Sequence, residues 1–167
     1  RAEGRPDEAA QVVREFLDGH DSPTAQAVGY YELATSLAES GEDLDAALDY
    51  AGRSLATAPE ELKPYPLAAL GWVHYKRQEF ERAIDCLRKS SDRAAAPSTF
   101  HHLGMAYLAT GRLEEAKAAF HKAKTAGRGG KLEDRVMQQV RSNLRLLEKA
   151  GSRKKPAGAP KAKLQAK

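Results

Sequence analysis

Residues 70–90, LGWVHYKRQEFERAIDCLRKS, and residues 103–123, LGMAYLATGRLEEAKAAFHKA, align without a gap at an offset of 33 residues. A looser copy occupies residues 33–54, LATSLAESGEDLDAALDYAGRS, with Ala34 in place of Gly71 and Gly104. It has one extra residue in its turn, and Ala47 lies 36 residues before Ala83. Self-similarity at such a period is the signature of stacked repeats. Within a copy the apolar spacing is helical: Phe100, Leu103, Gly104 and Tyr107 follow i, i+3, i+4, i+7, and Ala116, Phe120 and Ala123 continue it. Each copy therefore reads as two helices. Gly41 and Gly111 stand where the first helix ends, a place suited to a left-handed cap; Gln78 fills it in the second copy, which predicts a more strained turn. Pro59 and Pro97 mark the ends of copies, since proline does not continue a helix.

Composition supports an all-α chain. The 167 residues include 30 Ala and 18 Leu against 6 Val and 1 Ile, a scarcity of β-branched side chains that argues against any sizeable sheet. No run approaches the 18 or so apolar residues of a membrane span. Cys86 is the only cysteine, so the chain has no internal disulfide and no Cys-x-x-Cys pair, and the redox compartment stays open. The net charge of +4 is unevenly placed: residues 150–167 carry +6 and residues 1–149 the remaining −2.

The repeated pattern resembles the tetratricopeptide repeat. That family's order of a bulky residue, Leu-Gly, an aromatic, a turn Gly, a small Ala, a second aromatic and a last Ala is matched by Phe100, Leu103, Gly104, Tyr107, Gly111, Ala116, Phe120 and Ala123. In the second copy Leu70, Gly71, Ala83 and Pro97 match, while His74, Leu87 and Ser90 depart; the first keeps Leu33, Ala47 and Pro59. The resemblance implies a right-handed α-solenoid that binds a protein or peptide on its concave face. LGWVHYK is also similar to repeats in bacterial envelope and exopolysaccharide-export proteins; cytoplasm and bacterial envelope are both open compartments.

This frame divides the chain. Residues 1–22 are expected to be the second half of an incomplete repeat, GRPDEAAQVVREFLDG, whose missing first helix and absent initiator Met point to a fragment or processed product. Its Val12, Val13 and Phe16 would then seek cover, opening a route to self-association. Residues 23–127 hold three repeats. Residues 128–149 form a capping helix with Leu132, Val136, Val140, Leu144 and Leu147 on one stripe and Arg135, Gln138, Ser142, Arg145 and Lys149 on the other, because the last repeat otherwise exposes its stacking face. Residues 150–167, rich in Lys, Ala, Pro and Gly, are expected to be a disordered basic tail. Six cations on such a segment suit a polyanion, but it has no aromatic residue for base stacking, so a solvated tether is preferred to a nucleic-acid arm.

No constellation for catalysis or metal binding is present. His101 and His102 are adjacent and diverge by about 100° on a helix, and no His-Glu-x-x-His, phosphate loop or Gly-x-Ser-x-Gly elbow occurs. We expect no enzyme activity, no cofactor and no metal. Gly71, Gly104, Ala83 and Ala116 are expected to let paired helices approach closely. If the Leu-Gly stripe packs inward, a second stripe of each first helix faces the concave side: Val28, Tyr31, Thr35, Ala38; Tyr65, Ala68, Trp72, Tyr75; Ser98, His101, Met105, Leu108. The family's carboxylate clamp of Lys and Asn is absent from it, with Lys76 and His101 the nearest polar substitutes. The expected partner site is therefore Tyr31, Tyr65, Trp72, Tyr75, Lys76, His101 and Met105, with Trp72 at its centre as an interface anchor. The alternatives are that Trp72 and Tyr75 brace neighbouring helices, and that the chain is a structural spacer in a longer array.

Overall fold

The computed structural model describes residues 11, 15, 19, 22–127 and 131–153. The expectations for the half-repeat before Pro23, including its self-association, and for the tail beyond Arg153 lie outside the described residues. Among those described, seven helices follow one another: α1 (Pro23–Ser40), α2 (Leu44–Thr57), α3 (Pro64–Lys76), α4 (Phe80–Ser91), α5 (Pro97–Ala109), α6 (Leu113–Ala126) and α7 (Lys131–Arg153), with a 3₁₀ turn at Glu60–Leu62. They pair as α1 with α2, α3 with α4 and α5 with α6. The first helices of the pairs touch in the order α1, α3, α5, and α7 packs on α5 and α6. The chain is an all-α solenoid. None of the described helices is long and apolar enough to cross a membrane.

The starts and turns follow local chemistry. Ser22 and Asp43 accept the free amides of Ala25 and Ala46 at 3.1 and 2.9 Å, capping α1 and α2. Proline opens α1, α3 and α5, so Pro97 begins its helix, at a position where no N–H is required. The turn residues are left-handed, Gly41 and Gly111 at φ 74° and Gln78 at φ 63°, which places the expected strain in the second turn. There His74 pairs with Glu79 at 2.8 Å, and Arg77 joins Glu79 to Asp45 on α2. Arg77 and then His74 hold the Glu79 carboxyl down at about 2. Its contribution to stability is thus complete above pH ~4.5 and is lost as pH falls towards 2. The first repeat exceeds the 33-residue period by four. One residue lies in its turn, and the other three, between Ser54 and Pro64, are taken up by the 3₁₀ turn.

Packing within a pair turns on one contact. A Cβ on Gly104 would stand 2.5 Å from Phe120, and one on Gly71 2.5 Å from Leu87. In the first pair the facing residues are Ala34 and Ala51, both fully buried. Small therefore meets large in the later pairs and small meets small in the first, which explains why Ala34 is tolerated there. The departure at Ser90 has a reason as well. Its hydroxyl donates to the Pro64 carbonyl at 2.7 Å, and Ser54 donates to the Ala27 carbonyl at 2.7 Å from the equivalent place, tying the second helix to the start of the first in these two pairs. One continuous core runs from Ala83, Ile84 and Leu87 through Leu103, Tyr107 and Phe120 to Val140 and Leu144 of α7, whose Gln138, Ser142, Arg145 and Lys149 face solvent. The junction of α1 and α2 with α3 is built mostly from alanine, with Ala34, Ala51 and Ala69 in one cluster and Ala38, Ala47 and Val73 in another.

Gly104→Ala is expected to cost about 1–3 kcal/mol by overpacking. In a double-mutant cycle with Phe120→Ala the two losses should be strongly sub-additive, because truncating the ring makes room for the methyl. Additive losses in denaturant titrations would place the strain elsewhere. Gln78→Gly, by relieving a left-handed non-glycine residue, should raise stability by about 0.5–1 kcal/mol, read as a higher urea midpoint at unchanged slope.

Candidate functional site: the concave face

The face built by α1, α3 and α5 carries two aromatic groups. At the first, Trp72 stacks on Tyr75 of its own helix, with ring centres 5.0 Å apart and planes within 6°. It also stacks on His102 of α5 at 4.0 Å and 12°. The Lys76 ammonium lies 5.4 Å from the centre of the indole. Tyr75 continues the chain of rings to Phe80 at 5.6 Å. At the second group, Tyr31 and Tyr65 meet edge to face at 6.3 Å across α1 and α3. Beside them opens a cleft of about 270 Å³ lined by Ala27, Val28, Tyr31 and Glu32 of α1, Ser54, Ala58, Leu62 of the 3₁₀ turn, and Tyr65 and Pro66. Tyr65 and Val28 at its mouth are 52% and 45% exposed, the two most exposed large apolar side chains of these first helices.

The seven residues selected from the sequence do not share one environment. Tyr31, Trp72, Tyr75 and Lys76 are half-buried and Tyr65 is exposed, so all five reach the surface. His101 is instead buried, at 6% exposure, with its ring 5.9 Å from Phe120. Met105 is half-buried, and its sulfur receives the Asn143 amide of α7 at 3.3 Å, so the cap covers this end of the strip. Ala38, placed on the same stripe, is buried against Ala47 and Val73. His102, which the sequence argument set aside with its neighbour, is the α5 ring that meets Trp72. The signal for it was its position three residues before Met105, on the same helical face.

Burial sets the ionisation of the histidine pair. His102 is pushed down to about 3 by burial first, then by His101 and Lys76, and burial lowers His101 too. Both rings are thus held neutral, which suits stacking on Trp72 and contact with Phe120. Burial pushes the half-buried Cys86 thiol up, away from the reactive thiolate. No group of three or more His, Cys, Asp or Glu among the described residues is placed to hold a metal ion.

Neither ring nitrogen of His101 meets a hydrogen-bond partner among the described residues. Replacing an unpaired buried polar group by an apolar one of similar size is neutral to stabilising. His101→Leu should therefore raise stability by about 1 kcal/mol at pH 7. Stability held by histidines with depressed pKa is full above pH ~6.5 and falls as pH drops towards 3. The variant should flatten that decline below pH ~6.5. Thermal melts across this range test both statements, and an unchanged or lower melting temperature at pH 7 would contradict the first.

Residues 97–126, which comprise α5 and α6, match the tetratricopeptide repeat family. No curated protein matches the chain. Its structure is similar to the crystal structure of MamA, with a TM-score of 0.61 at 14% identity over 92% of this chain and 93% of that one. It is also similar to MamA 41-end from Desulfovibrio magneticus RS-1, with a TM-score of 0.59 at 18% identity over 91% and 89%. A MamA RS-1 double mutant gives 0.59 at 19% identity over 90% and 89%. At these identities the likeness is one of fold. The chain thus carries a tetratricopeptide repeat at residues 97–126, and the paired-helix geometry of α5 and α6 recurs in α1 with α2 and in α3 with α4.

Proposed function

We propose that this chain is a protein-interaction scaffold whose concave face takes an extended segment of another protein. The observation that carries the reading is the presence of paired rings on successive first helices, Tyr31 with Tyr65 across α1 and α3 and Trp72 with Tyr75 and His102 across α3 and α5, separate from the Leu-Gly stripe that holds each pair. Tyrosine and tryptophan bury large area at low entropic cost and keep a polar edge, the properties of interface anchors. Tyr31, Tyr65, Trp72, Tyr75 and Lys76 are assigned direct contact. His101 and Met105 lie behind them and hold the α5 side of the face. Nothing in this reading calls for catalysis.

A second reading has its own observation. Trp72 stacks on His102 of the next repeat and packs against Ala38, Ala47 and Val73, as a brace would in a spacer segment. The two separate by experiment. Peptides selected from a random displayed library on the intact chain should lose tenfold or more in affinity with Tyr65→Ala or Trp72→Ala, about 2 kcal/mol for an anchor. Trp72, the only tryptophan, should shift its emission on binding. Failure to select binders, together with a stability loss of about 3–5 kcal/mol in Trp72→Ala, would favour the brace.

A further inference from the structure

The cleft beside Tyr31 and Tyr65 lies at one end of a chain with a steep charge gradient. Residues 23–63 hold eight acids and two bases, whereas residues 154–167, KKPAGAPKAKLQAK, hold five lysines and no acid. We propose that this basic segment, supplied by a second copy of the chain, docks in the cleft with Leu164 between the two tyrosines. The proposal rests on the reading of the concave face as a peptide-binding surface and names its occupant.

Three features favour this occupant. The cleft, about 270 Å³, is lined mostly by apolar side chains, with Glu32, Ser54 and the two tyrosines as the lining residues that carry polar groups, a lining that suits an apolar side chain. Its surroundings are negative: Glu32 lines it, no Lys or Arg does, and Glu39 and Glu61 are exposed without an ion pair among the described residues. The Tyr31 hydroxyl registers this field, raised by burial and then by Glu32, Tyr65 and Glu39. Finally, Leu164 is the one large apolar side chain in a cationic segment. In an extended strand it would share a face with Ala162 and Ala166, opposite Lys161, Lys163 and Lys167, so that the leucine enters while small neighbours let the backbone lie flush.

Sign and reach weigh against the nearer candidates, the same-chain segment needing to be fully extended over its whole length. Residues 1–21 carry six acids and three bases, the same sign as the cleft. Within one copy, the eleven residues from Arg153 to Leu164 span at most about 40 Å. α7 touches only α5 and α6, so the α1–α3 cleft lies more than two helix spacings of about 8–10 Å to the side. By the alternation of the hairpins the end of α7 also points away from the start of α3, and its 23 residues add about 34 Å along the axis. A second copy has no such limit.

The test uses the full chain with Leu164→p-benzoylphenylalanine, mixed as equal parts of isotopically heavy and light protein, irradiated and mapped by mass spectrometry. The expected result is cross-links from position 164 to the peptides holding Tyr31 or Tyr65, joining heavy to light chains. Their yield should fall about two- to fivefold with Glu32→Lys, an exposed rim position that folding does not require, and fall again between 50 mM and 500 mM salt. Cross-links confined to single chains, or landing outside the cleft, or insensitive to Glu32→Lys, would overturn the proposal. Library-selected peptides that still depend on Tyr65 would then leave the scaffold reading standing and remove only this occupant.

Discussion

The close approach of the two helices in each pair is the constraint on which the rest depends. At Gly104 and Gly71 there is no room for one more carbon against Phe120 and Leu87, and in the first pair Ala34 and Ala51 share the same space as two small residues. What the pairs share is that at least one of the two facing residues is small, because interiors are packed to crystal density and an extra methyl must displace something. Once that distance is set, Leu33 and Leu103 are buried, the starts of α1 and α3 come within reach of Ser54 and Ser90, and Tyr31, Tyr65, Trp72 and Tyr75 are left at the surface.

The distribution of core volume along the array follows. From α4 to α7 the core contains Ile84, Leu87, Phe100, Leu103, Phe120, Val140 and Leu144, whereas the junction of α1 and α2 with α3 depends on alanine. Buried apolar area is the main stabilising quantity, so the two ends are unequal. In a quasi-one-dimensional fold such inequality is local: the first pair can open without the cap following. The more yielding end also carries the cleft and the acidic residues. Binding there would add buried area where the array has least of its own.

Concave-face chemistry and packing are carried by different residues on the same helices. On α3 the buried positions are Pro64, Pro66, Ala69, Gly71 and Val73, and the rings of Tyr65, Trp72 and Tyr75 lie between them. Trp72 belongs to both sets, touching the Ala38 cluster on one side and the ring stack on the other, and Tyr31 and Tyr75 also pack against core clusters. Tyr65, which makes only the edge contact with Tyr31, is the cleaner probe of the surface.

The sequence by itself determined the pairs of helices, their turns and the small residues between them, since a 33-residue period, helical spacing and turn glycines are local signals that survive without knowledge of neighbours. It also indicated Tyr31, Tyr65, Trp72, Tyr75 and Lys76 as a surface stripe, by position relative to Leu-Gly. Only the tertiary structure decided the roll of α5, which turns His101 into the core against Phe120 and brings His102 onto Trp72. Two residues 100° apart on a helix are equally placed by periodicity, and the choice belongs to side chains on α3, α6 and α7 that lie far away in sequence. The cleft was invisible for the same reason. It exists because three additional residues between Ser54 and Pro64 coil into a 3₁₀ turn and set Leu62 as a wall between helices that the repeat pattern describes only one at a time.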